Sequence, residues 1–145
     1  MKIILQRVST APVTVSGDIT GQINRGYVAL LGIGQDDTKE KIDKAIEKIK
    51  KLRLFADADG KTNLSITDIS GELLVISQFT LYADCRKGNR PSFTDAATPA
   101  LAEELYNYFI EAAKPHFKNV GCGIFGAEMQ VSLINDGPFT VMLES

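Results

Sequence analysis

The residues able to do chemistry fall into three short polar segments set among hydrophobic runs. The first is Ser77-Gln78-Phe79-Thr80-Leu81-Tyr82, where the apolar stretch from Glu72 to Ile76 stops at hydroxyls and an amide. Polar groups at the end of a core-bound strand must find partners or line a pocket. The second is Asn135-Asp136-Gly137-Pro138-Phe139-Thr140, lying between two apolar stretches. Asn-Asp-Gly is turn chemistry, and a Gly-Pro bond is of the kind that adopts cis in folded chains. A cis bond here would aim two successive carbonyls rigidly at a ligand; the competing reading is a plain hairpin turn. The third is Arg86-Lys87-Gly88-Asn89-Arg90-Pro91, with three cations within five residues. It reads as a local phosphate site or a solvated loop.

Other chemistries are disfavoured by the counts. There is one histidine, His116, and there are two cysteines, Cys85 and Cys122. A Ser-His-Asp or Cys-His hydrolase would have to use His116. Its place in Lys114-Pro115-His116, just past a predicted helix, suits a surface cation at the negative end of a helix dipole. An enzyme built on this chain is therefore expected to work without a histidine base. No C-x-x-C is present and the Cys/His supply is short of a structural zinc site, so neither metal nor cofactor is expected. The cysteines read as free thiols of a reducing cytosol. Asp57 to Asn63 is neither a P-loop, because position 55 is Phe55, nor an EF-hand, because the distal glutamate is missing. It reads as a turn. Gly32-Ile33-Gly34 fails the dinucleotide fingerprint, since Asp37 occupies the third glycine position.

The elements that must hold these segments follow from periodicity. Ile3, Leu5 and Val8 open a strand, and residues 11–24 read as a hairpin around Ser16-Gly17-Asp18. Tyr27 to Ile33 is a near-continuous apolar run, as in a central strand. Ile42, Ala45, Ile46, Ile49 and Leu52 recur at helical spacing, predicting an amphipathic helix over 38–52, capped by Asp37, with its lysines on a solvated face. Glu72 to Phe79 is a further strand. Thr98-Pro99 opens a second helix with Leu101, Leu105, Tyr108, Phe109 and Ala112 inward, ended by Pro115. Residues 121–125, 129–134 and 139–143 read as strands.

These 145 residues fit one domain, 1–145. The expected fold is α+β: strongly twisted, mostly antiparallel sheets curling toward a barrel-like core, with two main helices. The pattern alone leaves barrel and sandwich open. Sixteen Lys and Arg against 18 Asp and Glu exclude a protein that coats nucleic acid by bulk charge, so any such contact must be local. Gln6 and Arg7 interrupt any signal-peptide core, and no segment reaches the ~18 apolar residues of a membrane helix. A cytoplasmic location is expected.

Taken together, the motifs resemble the D-aminoacyl-tRNA deacylase (D-tyrosyl-tRNA deacylase) family across essentially the whole chain. The resemblance rests on Leu5-Gln6-Arg7-Val8, Ser77-Gln78-Phe79-Thr80-Leu81, Lys87-Gly88-Asn89-Arg90-Pro91-Ser92-Phe93, Gly126-Ala127-Glu128-Met129 and Asn135-Asp136-Gly137-Pro138. One departure is Phe139, where the family commonly has valine. The resemblance implies a metal-free homodimeric esterase of translation quality control. It would cleave a D-amino acid, or glycine, from the terminal ribose of tRNA, with no role for DNA or membrane. Ser77, Gln78, Phe79 and Thr80 would form the catalytic segment. Gly137 and Pro138 would be a chirality gate entering the partner subunit's pocket, braced by Arg7. Phe125 and Met129 would face the terminal adenosine, and Lys87 and Arg90 the tRNA phosphates. The rivals are a non-catalytic RNA-binding module, a Cys85–His116 thiol hydrolase, and an editing domain for mischarged L-amino acids.

Overall fold

The computed structural model describes residues 1–144, and its frame is a five-stranded sheet. Across the sheet the strands run in the order β10 (Asn135–Glu144), β1 (Lys2–Val8), β4 (Gly26–Gly32), β7 (Glu72–Ser77) and β8 (Val120–Cys122). β1 is antiparallel to both β10 and β4. β4–β7 and β7–β8 are parallel. A three-stranded sheet, β3 (Asp18–Ile23), β2 (Ala11–Val15) and β9 (Gln130–Val131), and a hairpin of β5 (Arg53–Ala56) with β6 (Thr62–Ser65) complete the strands.

Strand alternation sorts the core into two layers. Leu73 and Val75 of β7 join Ile3, Leu5, Tyr27 and Leu31 on one face, against helix α1 (Lys39–Lys51) and helix α2 (Pro99–Ala113). Leu74 and Ile76 turn to the other face and pack with Val28 of β4 and with Val13 and Ile23 of the small sheet. Covered on both sides, β7 reads as an unbroken apolar run. α1 buries Ile42, Ile46 and Ile49. Each such side chain contributes roughly 1.5–3 kcal/mol relative to exposure. Thr38 and Thr98 cap the two helices, accepting hydrogen bonds from the backbone N–H groups of Lys41 and Leu101.

Several expectations need correction. The sheet does not close into a barrel; its outer strands, β10 and β8, are held apart by three strands between them. Among the described residues five of the seven strand pairings are antiparallel, as expected, but the large sheet is mixed, because its two parallel pairings need long crossovers and the two helices supply them. α1 lies in the link from β4 to β7, and α2 in the link from β7 to β8. Thr38 caps α1 in place of Asp37. The Asp37 carboxylate is buried, accepting from the Met1 ammonium and from the Gly34 N–H, both at 2.7 Å. β7 ends at Ser77, two residues short of the predicted Phe79. Residues 129–134 form only a two-residue strand, and residues 121–125 only the short β8. Asn135 to Pro138 is no hairpin turn, because β9 and β10 belong to different sheets. Asp57 to Asn63 does turn, between β5 and β6, with the Asp57 carboxylate accepting from the N–H groups of Asp59 and Lys61. Among the described residues no helix is long and apolar enough to cross a membrane.

Candidate active site

The buried strand β7 delivers Ser77 and Gln78 to one end of the sheet. There the chain breaks into a 3-10 turn over Phe79–Tyr82. Gln78 N–H donates to the Leu31 carbonyl at 2.8 Å, anchoring the turn to β4. Its side-chain amide Nε2 donates to Thr80 Oγ1. The N–H groups of Phe79 and Thr80 open this turn, where helical geometry supplies no partner from within.

Beside the turn lies a cleft of about 560 Å³, within the range of small-ligand sites. Ser77, Gln78, Phe79, Phe93, Phe125 and Met129 line it. Phe79 is 54% exposed, a large apolar surface offered to a ligand, and meets Phe93 edge-on at 5.0 Å. Behind the opposite wall, the Tyr106 hydroxyl donates to the carbonyls of Val75 (3.0 Å) and Gly123 (3.4 Å). Its ring lies 5.8 Å from Phe125, and burial pushes its phenol pKa well above the ordinary value. Tyr106 thus ties β7 to the segment that carries Phe125.

The basic loop divides its cations. Arg86 is engaged by Asp84 through bonds of 2.8 and 2.7 Å, and this pairing holds the Asp84 carboxyl far below the usual carboxylate range. Lys87 and Arg90 are exposed and, among the described residues, form no ion pair. Cys85 borders a hollow with Lys2 and Tyr82, whereas His116 borders another with Thr67 and Ser70. The two do not meet, which removes the thiol-hydrolase arrangement.

The second polar segment sits elsewhere. The Gly137-Pro138 peptide is cis, and Gly137 has a φ of +120°. Arg7 Nε donates to the Asp136 carbonyl at 3.1 Å and lies 3.2 Å from its carboxylate. Arg7 Nη1 donates to the Leu54 carbonyl at 2.5 Å. Asn135 closes the segment on itself: its Oδ1 accepts from Phe139 N–H, and its Nδ2 donates to Thr140 Oγ1. Register places this segment far from the cleft. Arg7 pairs with Tyr27 and Tyr27 with Leu73, while Ser77 pairs with Leu31. Four residues along β4 separate the two rows, roughly 13 Å at strand rise. Neither Gly137, Pro138 nor Arg7 lines the cleft, and neither Lys87 nor Arg90 does.

With this arrangement in view, the chain matches the D-Tyr-tRNA(Tyr) deacylase family over residues 4–144. It belongs to that family. It is 53% identical to a D-aminoacyl-tRNA deacylase of Thermosipho africanus (strain TCF52B), across 100% of this chain and 97% of that one. The solved structure of a c-Myc DNA Unwinding Element Binding Protein superposes with a TM-score of 0.94 at 42% identity, covering 100% and 99% of the two chains. A probable eukaryotic D-amino acid tRNA deacylase, at 16% identity and a TM-score of 0.87 over 98% and 97%, shares the fold. Membership of the deacylase family makes this chain an enzyme, a hydrolase.

The structure thus unites Ser77, Gln78, Phe79, Phe125 and Met129 at one cleft, with Thr80 tied to it through Gln78. It sets the Arg7–Gly137–Pro138 group apart. Sequence reasoning gave no role to Phe93 or Tyr106, and named Asn135 and Asp136 only as part of the motif, without the contacts by which they shape it. Phe93 had a signal, an aromatic in a basic loop. Tyr106 had none, since a tyrosine on a helical stripe looks like any core residue.

Proposed function

We propose that this hydrolase cleaves the ester joining a D-amino acid, or glycine, to the 3′-terminal ribose of tRNA, as a quality-control step in translation. The terminal adenosine stacks in the cleft against Phe79, Phe93 and Phe125, with Met129 on the floor. Base–aromatic stacking is the usual way a splayed-out terminal nucleotide is held. Water attacks the ester carbonyl carbon, and the oxyanion is received by the N–H groups of Phe79 and Thr80. The C–O bond to the ribose breaks, and the ribose oxygen leaves with a proton. The neighbouring 2′-hydroxyl of the ribose assists, while Gln78 holds Thr80 in a positioning role. An aminoacyl ester is already activated, so placement and oxyanion stabilisation suffice without a histidine base.

Gly137 and Pro138 serve as the chirality gate. Their carbonyls receive the substrate amino group and leave no space where an L side chain projects, so rejection is by clash and ignores side-chain identity. Glycine, without a side chain, passes. The observation that carries this reading is the separation between gate and cleft. A gate at the far end of the sheet cannot serve its own cleft, so it serves the cleft of a second copy in a homodimer. Lys87 and Arg90 face the acceptor-end phosphates, which reconciles a net charge of −2 with a tRNA substrate.

The test is deacylation of D-Tyr-tRNA and L-Tyr-tRNA at equal enzyme concentration. Rapid loss of the D ester with the L ester intact is expected. Loss of both esters removes the gate, and loss of neither removes the esterase. A second reading, binding to DNA, is raised only by the name of the 42%-identical relative. Filter binding to single-stranded DNA and to tRNA in parallel separates the two.

A further inference from the structure

We infer that a lysine-rimmed groove between α1 and the end of β10 holds the sugar–phosphate backbone of the tRNA acceptor stem, beyond the nucleotide that enters the cleft; this rests on the tRNA-substrate reading above. The groove has a volume of about 450 Å³. Ile3, Ala45, Met142 and Leu143 supply its apolar lining, and Lys41, Lys44 and Lys48 line its α1 side. These lysines stand at i, i+3 and i+7 of the helix, so they share one face, with neighbours ~5–6 Å apart at Cβ.

The lysines of α1 are not one uniform solvated face. Pairing sorts the six of them. Lys39 is bound by Glu104 at 3.0 Å, and Lys50 and Lys51 by Glu47 at 2.5 and 3.3 Å. None of these three lines the groove. Lys44 and Lys48, which do, are exposed and form no ion pair among the described residues. Glu40, one turn before Lys44, is engaged by the Thr38 side chain and interacts with Lys44 only at longer range. Lys41 stands 3.5 Å from Asp37, whose Oδ1 is already taken at 2.7 Å by the Met1 ammonium. Glu144 is the one other charged group of the lining among the described residues. Three ammonium groups against one carboxylate leave the groove cationic on a chain of net charge −2.

Sheet register puts the groove at the same end as the catalytic turn. Lys2, next to Ile3, pairs with Gly32 on one side and Glu144 on the other. Ser77 pairs with Leu31, one residue before Gly32. From β7 to β10 is three strand spacings, roughly 14 Å, which an unpaired RNA end of a few nucleotides spans. Lys2 Nζ donates to the Leu81 carbonyl of the turn at 3.2 Å, and Lys2 borders a hollow with Arg86. Cations therefore continue from the basic loop, through Lys2, to Lys41, Lys44 and Lys48. Lysine meets phosphate as a point charge, and contacts to the backbone position a nucleic acid without reading its bases. The groove thus adds affinity for the stem without choosing among tRNA sequences.

The experiment compares the wild type with Lys44→Gln, Lys48→Gln, the double variant and Lys39→Gln, whose lysine is ion-paired away from the groove. Glutamine forms helix about as well as lysine and both groove positions are exposed, so the variants fold, which thermal melting checks. Filter binding of uncharged tRNA is followed against salt. Steady-state kinetics are measured on D-Tyr-tRNA and on the short ester D-tyrosyl-adenosine. In the double variant the slope of log K against log salt is expected to fall by about 1.5 units, at roughly 0.7–0.9 per lost phosphate contact. KM for D-Tyr-tRNA rises roughly three- to tenfold at constant kcat, as for binding lost equally from ground and transition states. The short ester is cleaved at the wild-type rate, and Lys39→Gln changes neither readout. An unchanged slope, an equal loss on the short ester, or an equal effect of Lys39→Gln each overturns the groove. A wild type that cleaves neither ester overturns the esterase reading, and the binding slopes then decide the groove on their own. A wild type that does not bind tRNA overturns both.

Discussion

An alanine at position 137 tests the gate at its narrowest point. Its Cβ would stand 2.8 Å from Arg7 Nη2, against a backbone φ of +120°. An L side chain at such a φ costs of order 1–3 kcal/mol. Relief has two routes. The guanidinium can withdraw, giving up its bonds to the carbonyls of Asp136 (3.1 Å) and Leu54 (2.5 Å). Hydrogen bonds from a charged group contribute ~1.5–3 kcal/mol each, so this route is expensive. Alternatively residues 136–138, all exposed, can shift together. The second route costs less, and it moves the gate carbonyls. A strain of ~1.4 kcal/mol relieved in this way leaves the original arrangement in about one molecule in ten. Gly137→Ala is therefore expected to lower the melting temperature by only roughly 3–8 °C. Its D-to-L ratio of kcat/KM should drop by about tenfold or more. The assay is single-turnover deacylation of both esters under matched conditions. A folded Gly137→Ala enzyme with the wild-type ratio refutes the reasoning, because the residue would then have no part in discrimination.

Further consequences are open to direct measurement. Arg90→Ala should weaken tRNA binding at every sequence and reduce the slope of log K against log salt by about one unit; an unchanged slope takes Arg90 out of the phosphate contacts. Tyr106→Phe leaves two buried carbonyls without their shared donor and should lower stability by about 1–2 kcal/mol in urea unfolding. The same variant should raise KM more than it lowers kcat, since Phe125 and not the reacting carbonyl loses support. In acid, Asp57 and Asp68 each lose a contribution. Backbone N–H groups of Lys61 and Ser65, respectively, hold their carboxyls below the ordinary range. Their contribution is complete above about pH 4 and is lost as pH falls through the depressed values. Acid unfolding should therefore begin later in the wild type than in Asp68→Asn, whose midpoint should move to higher pH.

Much of the fold was legible in the residues because local physics dictated it. The stripe Ile42, Ile46, Ile49 on α1 is a pattern that only a helix against an apolar surface satisfies. The unbroken Leu73–Ile76 run announced a strand covered on both faces. The polar stop at Ser77-Gln78 marked the cleft, because buried strands do not end in amides and hydroxyls without a reason. The cap of α1 was misread, since Asp37 and Thr38 are both good capping residues and the choice lay with a distant partner. Asp37 is taken by the ammonium of Met1, and no local rule points to that pair. Parallel pairing was missed as well, although two helices lying between apolar strands were already visible.

What the chain determined by itself was the kind of element at each stretch, the position of the polar stops and the family to which the motifs belong. Each of these depends on neighbours a few residues away. Only the tertiary structure decided which stops share a site. Strand order and register bring Phe79, Phe93, Phe125 and Met129 around one cleft, although up to fifty positions separate them in sequence. The same register puts Arg7, Asp136, Gly137 and Phe139 together at the opposite end of the sheet. Pairing across β1, β4 and β7 is a long-range choice, made when both faces of the sheet are covered at once, and side-chain periodicity carries no record of it.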